Sequence, residues 1–149
     1  DKLKNIREDM AFSSDFIVGF PGETKQAFNN TLKLVHDVNY CQAYSFKYSR
    51  RPGTPGSILQ GQVSEEIKTE RLAELQNILN EQQLNFNRKF IGQKFDILLE
   101  RKGKKDNQLV GKSPYMQAVH VISKDHKIGD IIKTHILDAD KNSLEGNYE

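Results

Sequence analysis

The side chains in this 149-residue sequence whose types and spacing could do chemistry fall in three places. The first is Ser14–Thr24, where the apolar run Phe16-Ile17-Val18 empties into Gly19-Phe20-Pro21-Gly22 and then into helix-like sequence. A buried strand that opens into such a turn is where α/β folds place ligands. Gly19 and Gly22 let the backbone approach a ligand closely, and Asp15 can accept hydrogen bonds from hydroxyls or an amine. A tight strand-to-helix turn that binds nothing has the same pattern, and spacing alone does not choose between the two. The second place holds Lys47 and Arg51, the latter in the loop Arg50-Arg51-Pro52-Gly53-Thr54-Pro55-Gly56. A guanidinium there can pair with a carboxylate or a phosphate, or simply be solvated. Lys47 should share a strand face with Ser45 and Ser49, pointing either inward or to solvent. The third place combines Lys112, Tyr115 and Gln117: a phosphate partner, a stacking surface and a base-edge amide, which are the requirements of single-stranded RNA recognition. Arg101 and Lys102, in Arg101-Lys102-Gly103-Lys104-Lys105, add a basic hairpin tip that would also serve as a solvated turn.

Composition narrows what these groups can do. The one cysteine, Cys41, excludes an internal disulfide and any all-cysteine metal or cluster site within the chain, so a reducing compartment is expected. Cys41 itself reads as a small buried hydrophobe. His36, His120, His126 and His135 lack metal-ligand spacing, so no metal is assigned and no catalytic residue is placed in this chain. A net charge of +2 announces no global field for nucleic acid, so RNA affinity has to come from a local patch. No run of apolar residues is long enough to span a bilayer, and Asp1-Lys2-Leu3-Lys4 lacks the apolar core of a signal peptide. The expectation is a cytoplasmic protein without a membrane partner. The absence of an initial Met and the abrupt entry into helix-like sequence suggest a chain that begins inside a larger protein.

The elements that must position these side chains follow from periodicity. Residues 3–9 read as the end of a helix and 12–20 as a strand. Thr24 can cap a helix reaching to about Asp37, with Phe28, Leu32, Val35 and Val38 on one face. Residues 40–48 alternate and are rich in aromatics, as a second strand would be. Strand, helix, strand is the parallel crossover of an α/β fold. The Pro- and Gly-rich segment 50–56 reads as a loop. Ser64, followed by Glu65 and Glu66, starts a long helix to about Phe90 with Leu72, Leu75, Leu79 and Phe86 on a stripe, and Gly92 is its expected cap. Five short β-like runs follow, at about 94–101, 108–112, 117–122, 130–138 and 143–148. Their closure would bury Phe95, Ile97, Leu99, Val119, Val121, Ile132 and Ile136 and remove exposed edges. The fold expected is α/β plus all-β, divided as 1–62, 63–91 and 92–149.

Three of these segments together resemble one family. Ser14-Asp15-Phe16-Ile17-Val18-Gly19-Phe20-Pro21-Gly22-Glu23-Thr24 is similar to the strand-and-turn motif of radical-SAM enzymes, and especially to its methylthiotransferase version. Residues 43–55 resemble the last barrel strand and following loop of that family, usually F-S-F-K-Y-S-P-R-P-G-T-P. Arg50 stands where the family generally has proline, which predicts a less rigid loop. Residues 109–121 look like the central part of a TRAM domain as it occurs in tRNA methylthiotransferases, and Leu79-Asn80-Glu81-Gln82-Gln83 resembles the family's linker.

The resemblance implies the carboxy-terminal part of a radical-SAM tRNA methylthiotransferase: the terminal βαβ portion of a partial (β/α) barrel over 1–62, a linker helix over 63–91, and a small five-stranded TRAM β-barrel that binds RNA over 92–149. It makes Asp15, Ile17, Gly19, Gly22, Lys47 and Arg51 candidate neighbours of S-adenosylmethionine, while Glu23 shapes the loop and the helix start. It makes the anticodon stem-loop of tRNA the partner of Lys112, Tyr115, Gln117, Arg101 and Lys102. Members of the family carry two 4Fe-4S clusters, held by three cysteines of an amino-terminal domain and by C-x-x-x-C-x-x-C of the barrel. With only Cys41 this chain can hold neither, so the clusters belong to missing amino-terminal domains and the chain alone should be inactive. The implied reaction is methylthiolation of the isopentenylated adenosine beside the anticodon. A fragment of the related ribosomal-protein methylthiotransferase, a non-catalytic TRAM module, and an arbitrary fragment without its own function are the alternatives.

Overall fold

A computed structural model describes residues 2–148. After a short helix α1 (Lys2–Ile6), strand β1 (Ser13–Val18) runs parallel to β2 (Gln42–Lys47), in register from Ser13 opposite Gln42 to Val18 opposite Lys47. The crossover between them is α2 (Lys25–Val38). Thr24 starts it in extended conformation, its hydroxyl accepting from the Ala27 amide at 3.1 Å. Asn39 ends it at φ 58°, the left-handed conformation that a short amide side chain tolerates. Phe28 and Val35 of α2 are buried with Phe16 and Val18 of β1, and Leu75 and Leu79 complete this core.

Beyond β2 the structure departs from the expected loop. Pro55–Ile58 forms a single helical turn, α3. Proline at the first helical position has no N–H to leave unsatisfied and a φ already set for helix, so the Pro-Gly pair that argued against regular structure starts one instead. Arg50 makes a contact that the sequence did not disclose. Arg50 Nε donates to the Ser57 carbonyl at 2.7 Å, giving the loop an internal bond that proline could not supply.

Helix α4 spans Glu65–Arg88. Ser64 Oγ accepts from the Ile67 amide at 3.4 Å, and Glu65 and Glu66 occupy the first turn, where carboxylates complement the exposed amides. The helix stops short of Phe90, in tight turns from Lys89 to Phe86 and from Phe90 to Asn87. Gly92 has φ +85°, yet its amide donates to the Ile136 carbonyl at 2.9 Å, so it joins strand pairing rather than capping the helix. The chain divides into two units, Asp1–Gln82 and Gln83–Glu149, and the division falls within α4.

The second unit contains a closed barrel of β3 (Lys94–Lys102), β4 (Gln108–Lys112), β5 (Ala118–Ile122), β6 (Ile131–Ala139) and β7 (Ser143–Tyr148) in the order β3-β4-β5-β7-β6. All pairs are antiparallel except β5–β7. The core is Phe90, Ile97, Leu99, Leu109, Val119, Val121, Ile132, Ile136 and Leu144, with Phe95 only partly buried against it. Gly111, opposite Leu99, leaves no room for a Cβ: an added methyl would strike the Leu98 carbonyl and the Ile97 side chain. Gly111→Ala should therefore destabilise the barrel by about 1–3 kcal/mol, the usual effect of overpacking, measured as a lower denaturation midpoint in urea.

Candidate functional site

The turn after β1 is fixed from several sides. Gly19 and Gly22 have φ of +73° and +85°, conformations that side chains with a Cβ rarely adopt. Glu23 Oε1 accepts from the Gly19 amide at 3.0 Å, while the Gly22 amide donates to the Gly61 carbonyl at 2.8 Å. Arg71 of α4 closes the arrangement: its Nη1 donates to the Glu23 carbonyl at 3.0 Å and lies 2.5 Å from Glu23 Oε1. Both side chains are largely buried, at 12% and 13% exposure.

A second grip comes from the first turn of α4. The Lys68 stem covers Gly19, and its ammonium donates to the Tyr48 carbonyl at 3.3 Å and pairs with Glu65. Glu65 also meets Lys47, whose Nζ reaches Thr69 Oγ1 as well, both at 3.2 Å. The hydrogen bond from Lys68, then that from Lys47, holds the Glu65 carboxyl below the usual carboxylate range. Arg71 and Lys68 carried no sequence signal, because one exposed-looking helix position resembles another until the strands it faces are known.

These contacts sort the expected cofactor residues. Parallel neighbours share a face, so Asp15 and Ile17 stand with Tyr44 and Phe46 on the side of the sheet away from the core. Ile17 is 60% exposed and Phe46 56%. Around the strand ends, Ile17, Phe20, Phe46, Tyr48, Arg51 and Thr54 are among the residues lining an open pocket of about 620 Å³. Among the described residues, neither the Asp15 carboxylate nor the Arg51 guanidinium has a hydrogen-bond or ion-pair partner. Lys47 is different. It lines the same pocket, but alternation turns its side chain to the opposite face, where its ammonium is held by Glu65 and Thr69. Cys41 is half-buried, and burial raises its thiol pKa.

In the barrel, the residues expected to meet RNA divide in the same manner. Gln117 Nε2 donates to Asn87 Oδ1 at 2.8 Å and its Oε1 accepts from Ser113 Oγ at 2.6 Å. Asn87, 1% exposed, donates in turn to the carbonyls of Asp140 and Lys141 at 2.7 and 3.3 Å. The amide expected to read a base edge thus links α4 to the turn between β6 and β7. Tyr115 packs against Phe90 at 4.9 Å and edge-on to Phe86 at 5.6 Å, so its ring is engaged in the aromatic end of the core. Lys112 Nζ donates to the Met116 carbonyl at 3.1 Å, folding over a turn in which Met116 has φ +66°.

Arg101, opposite Val110, shares the outward face of the β3–β4 pair with Lys112, which is opposite Leu98. Lys102, opposite Leu109, is exposed at the strand end. The hairpin beyond is ordered by Gln108, whose Oε1 accepts from the amides of Lys104 and Lys105 at 2.9 and 3.3 Å. Gln108 was another residue without a sequence signal. Among the described residues no three His, Cys, Asp or Glu side chains gather as a metal-binding group, and no helix is long and apolar enough to cross a membrane.

Residues 88–148 match the TRAM domain family. Over 148 residues, 98% of this chain, the sequence is 54% identical to a tRNA-2-methylthio-N(6)-dimethylallyladenosine synthase of Wolbachia pipientis subsp. Culex pipiens (strain wPip). It is 50% identical over the same span to the protein of that name from Wolbachia pipientis wMel. In both cases the match covers 34% of the relative, so the chain spans about a third of the length of the curated relatives it matches.

The Asn87 network and the Glu65 clamp each give a measurable expectation. Asn87→Ala would leave the partly buried Gln117 amide and two backbone carbonyls without their partner, and should cost about 1–3 kcal/mol in all, read by urea denaturation of the chain. Because the folded-state pKa of Glu65 is depressed, the stability it contributes is present above its unfolded pKa and is lost as pH falls through its folded value. An NMR titration should give Glu65 a midpoint below that of an ordinary glutamate, and Lys68→Met should move it upward.

Proposed function

We propose that this chain, with its TRAM domain and its identity to synthases over nearly its whole length, is the later part of a radical-SAM tRNA methylthiotransferase. The reaction read for the whole protein attaches a methylthio group to isopentenylated adenosine beside the anticodon. In this reading the open face of β1 and β2 is one inner wall of a barrel that the rest of the protein completes. The observation that carries it is the arrangement at the carboxyl ends of these strands: exposed Ile17 and Phe46, Phe20 from the turn between the left-handed Gly19 and Gly22, and an Arg51 guanidinium without a partner among the described residues, all lining one pocket.

Those residues fit S-adenosylmethionine. Ile17, Phe20 and Phe46 offer apolar surface for a purine, with Phe20 held by the turn between Gly19 and Gly22, Asp15 offers an acceptor for ribose hydroxyls or the amine, and Arg51 offers a fork for the methionyl carboxylate. Lys47 lines the pocket as well, but its ammonium is engaged by Glu65 and Thr69, so it contributes to the wall and not a free charge. When bound beside a reduced 4Fe-4S cluster, the cofactor supplies the radical and methyl chemistry. Both clusters would be held by cysteines elsewhere in the protein, since this chain has only Cys41. The residues here bind and orient.

The TRAM domain is assigned the tRNA anticodon stem-loop. Arg101, Lys102 and the ordered basic hairpin, with Lys112 on the face of Arg101, are its candidate phosphate contacts, whereas Tyr115 and Gln117 shape the surface from within. Arg101→Ala and Lys112→Ala should each weaken binding of an anticodon stem-loop and lower the slope of log affinity against log salt by about 1; unchanged affinity and slope would remove this face from the RNA reading. Asp15→Ala in the full-length protein should weaken S-adenosylmethionine binding with both clusters intact, measured by equilibrium dialysis. Unaltered binding would refute the cofactor wall.

A further inference from the structure

Arg71 is distant in sequence from the turn it touches and lies on a helix that presents no atom to the pocket. Its guanidinium nevertheless meets the turn twice, at the Glu23 carbonyl and at Glu23 Oε1. The same Oε1 accepts from the Gly19 amide. Gly19 is the first left-handed residue of the turn, so one carboxylate oxygen ties its orientation to α4. Phe28 backs the guanidinium, with its ring centroid 5.4 Å away.

A buried ion pair is a poor device for stability alone. Replacing it by apolar residues of similar volume is often neutral or stabilising, whereas removing one partner leaves an uncompensated charge. What the pair offers here is one geometry. The fork of Arg71 sets Glu23, Glu23 sets the Gly19 amide, and the Lys68 stem closes the space above Gly19, so the turn has little freedom to relax away from the pocket.

We propose that Arg71 is a positioning residue for S-adenosylmethionine, acting through Glu23 on the turn Gly19–Gly22. This rests on reading that turn as part of the cofactor wall. In the full-length protein Arg71→Met should raise the dissociation constant and the KM for S-adenosylmethionine about tenfold, while kcat at saturating cofactor and affinity for the anticodon stem-loop stay within about twofold. Arg71→Lys, which keeps the charge without the fork, should recover only part of the loss. In the present chain, Arg71→Met should speed hydrogen exchange of the Gly19 amide. Should Arg71→Met fail to fold, Glu23→Gln, which keeps the shape and weakens the pair, carries the same expectations.

Asp15→Ala separates the two levels of inference. If Asp15→Ala weakens cofactor binding and Arg71→Met only lowers the melting temperature, Arg71 is structural and the proposal is overturned. If neither substitution changes cofactor affinity, the cofactor wall and the positioning role both fail.

Discussion

A parallel pair of strands cannot cover its own two faces, and most of the first unit follows from that constraint. Parallel strands occur almost only where both sides of the sheet are packed. Here α2 and α4 supply one cover, sealing Phe16 and Val18 with Phe28, Val35, Leu75 and Leu79. The other side keeps Ile17, Tyr44 and Phe46 in solvent. Exposed large apolar residues on adjacent strands are informative where a single one would not be. In the function proposed above, this is the face that a ligand and further barrel strands would cover.

The covered side has its own requirement, because the helix over it must also fix the strand ends. Apolar contact between α4 and β1 is non-directional and would leave the turn at Gly19 free to shift. Directional contacts remove that freedom. Glu65, Lys68, Thr69 and Arg71 occupy one part of α4 and between them reach Lys47, the Tyr48 carbonyl, Gly19 and Glu23. Fractional burial separates these contacts energetically. The Glu65 pairs are exposed on the carboxylate side and contribute little to stability, whereas Arg71 and Glu23 are both nearly buried, so breaking that pair has the larger consequence.

Much of this was legible before the structure, and the failures have a common cause. Strand and helix positions followed from local periodicity: the alternation through Ile97, Leu99, Val119 and Val121 placed the barrel interior, and Thr24 announced the start of α2. The parallel pairing of β5 with β7 and the closing order did not follow, since alternation fixes which face a residue takes but not which strand lies beside it. Pro55 reads as a breaker in sequence because proline disrupts a helix interior, and it stands at the first turn of a helix, where that objection vanishes. Proximity in sequence ties Gly92 to the helix end, while its amide is claimed by Ile136 across the barrel.

The same blindness governs side chains. Composition identifies a group that can bond, but a closed barrel needs bonds of its own where a helix end and two turns converge. Asn87 enters there with an almost fully buried amide, and a buried amide without partners is costly. Gln117, Ser113 and the carbonyls of Asp140 and Lys141 meet that demand, so the glutamine that looked like a base reader is consumed internally. Tyr115 likewise completes an aromatic cluster with Phe86 and Phe90. Arg101 and Lys102 escape this fate because they lie exposed near the end of β3, with the hairpin beyond supported by Gln108 rather than by its own lysines. A polar residue deep in a motif is therefore a weaker candidate for contact than a charged one at a supported tip, even when the motif residue has the more suggestive chemistry.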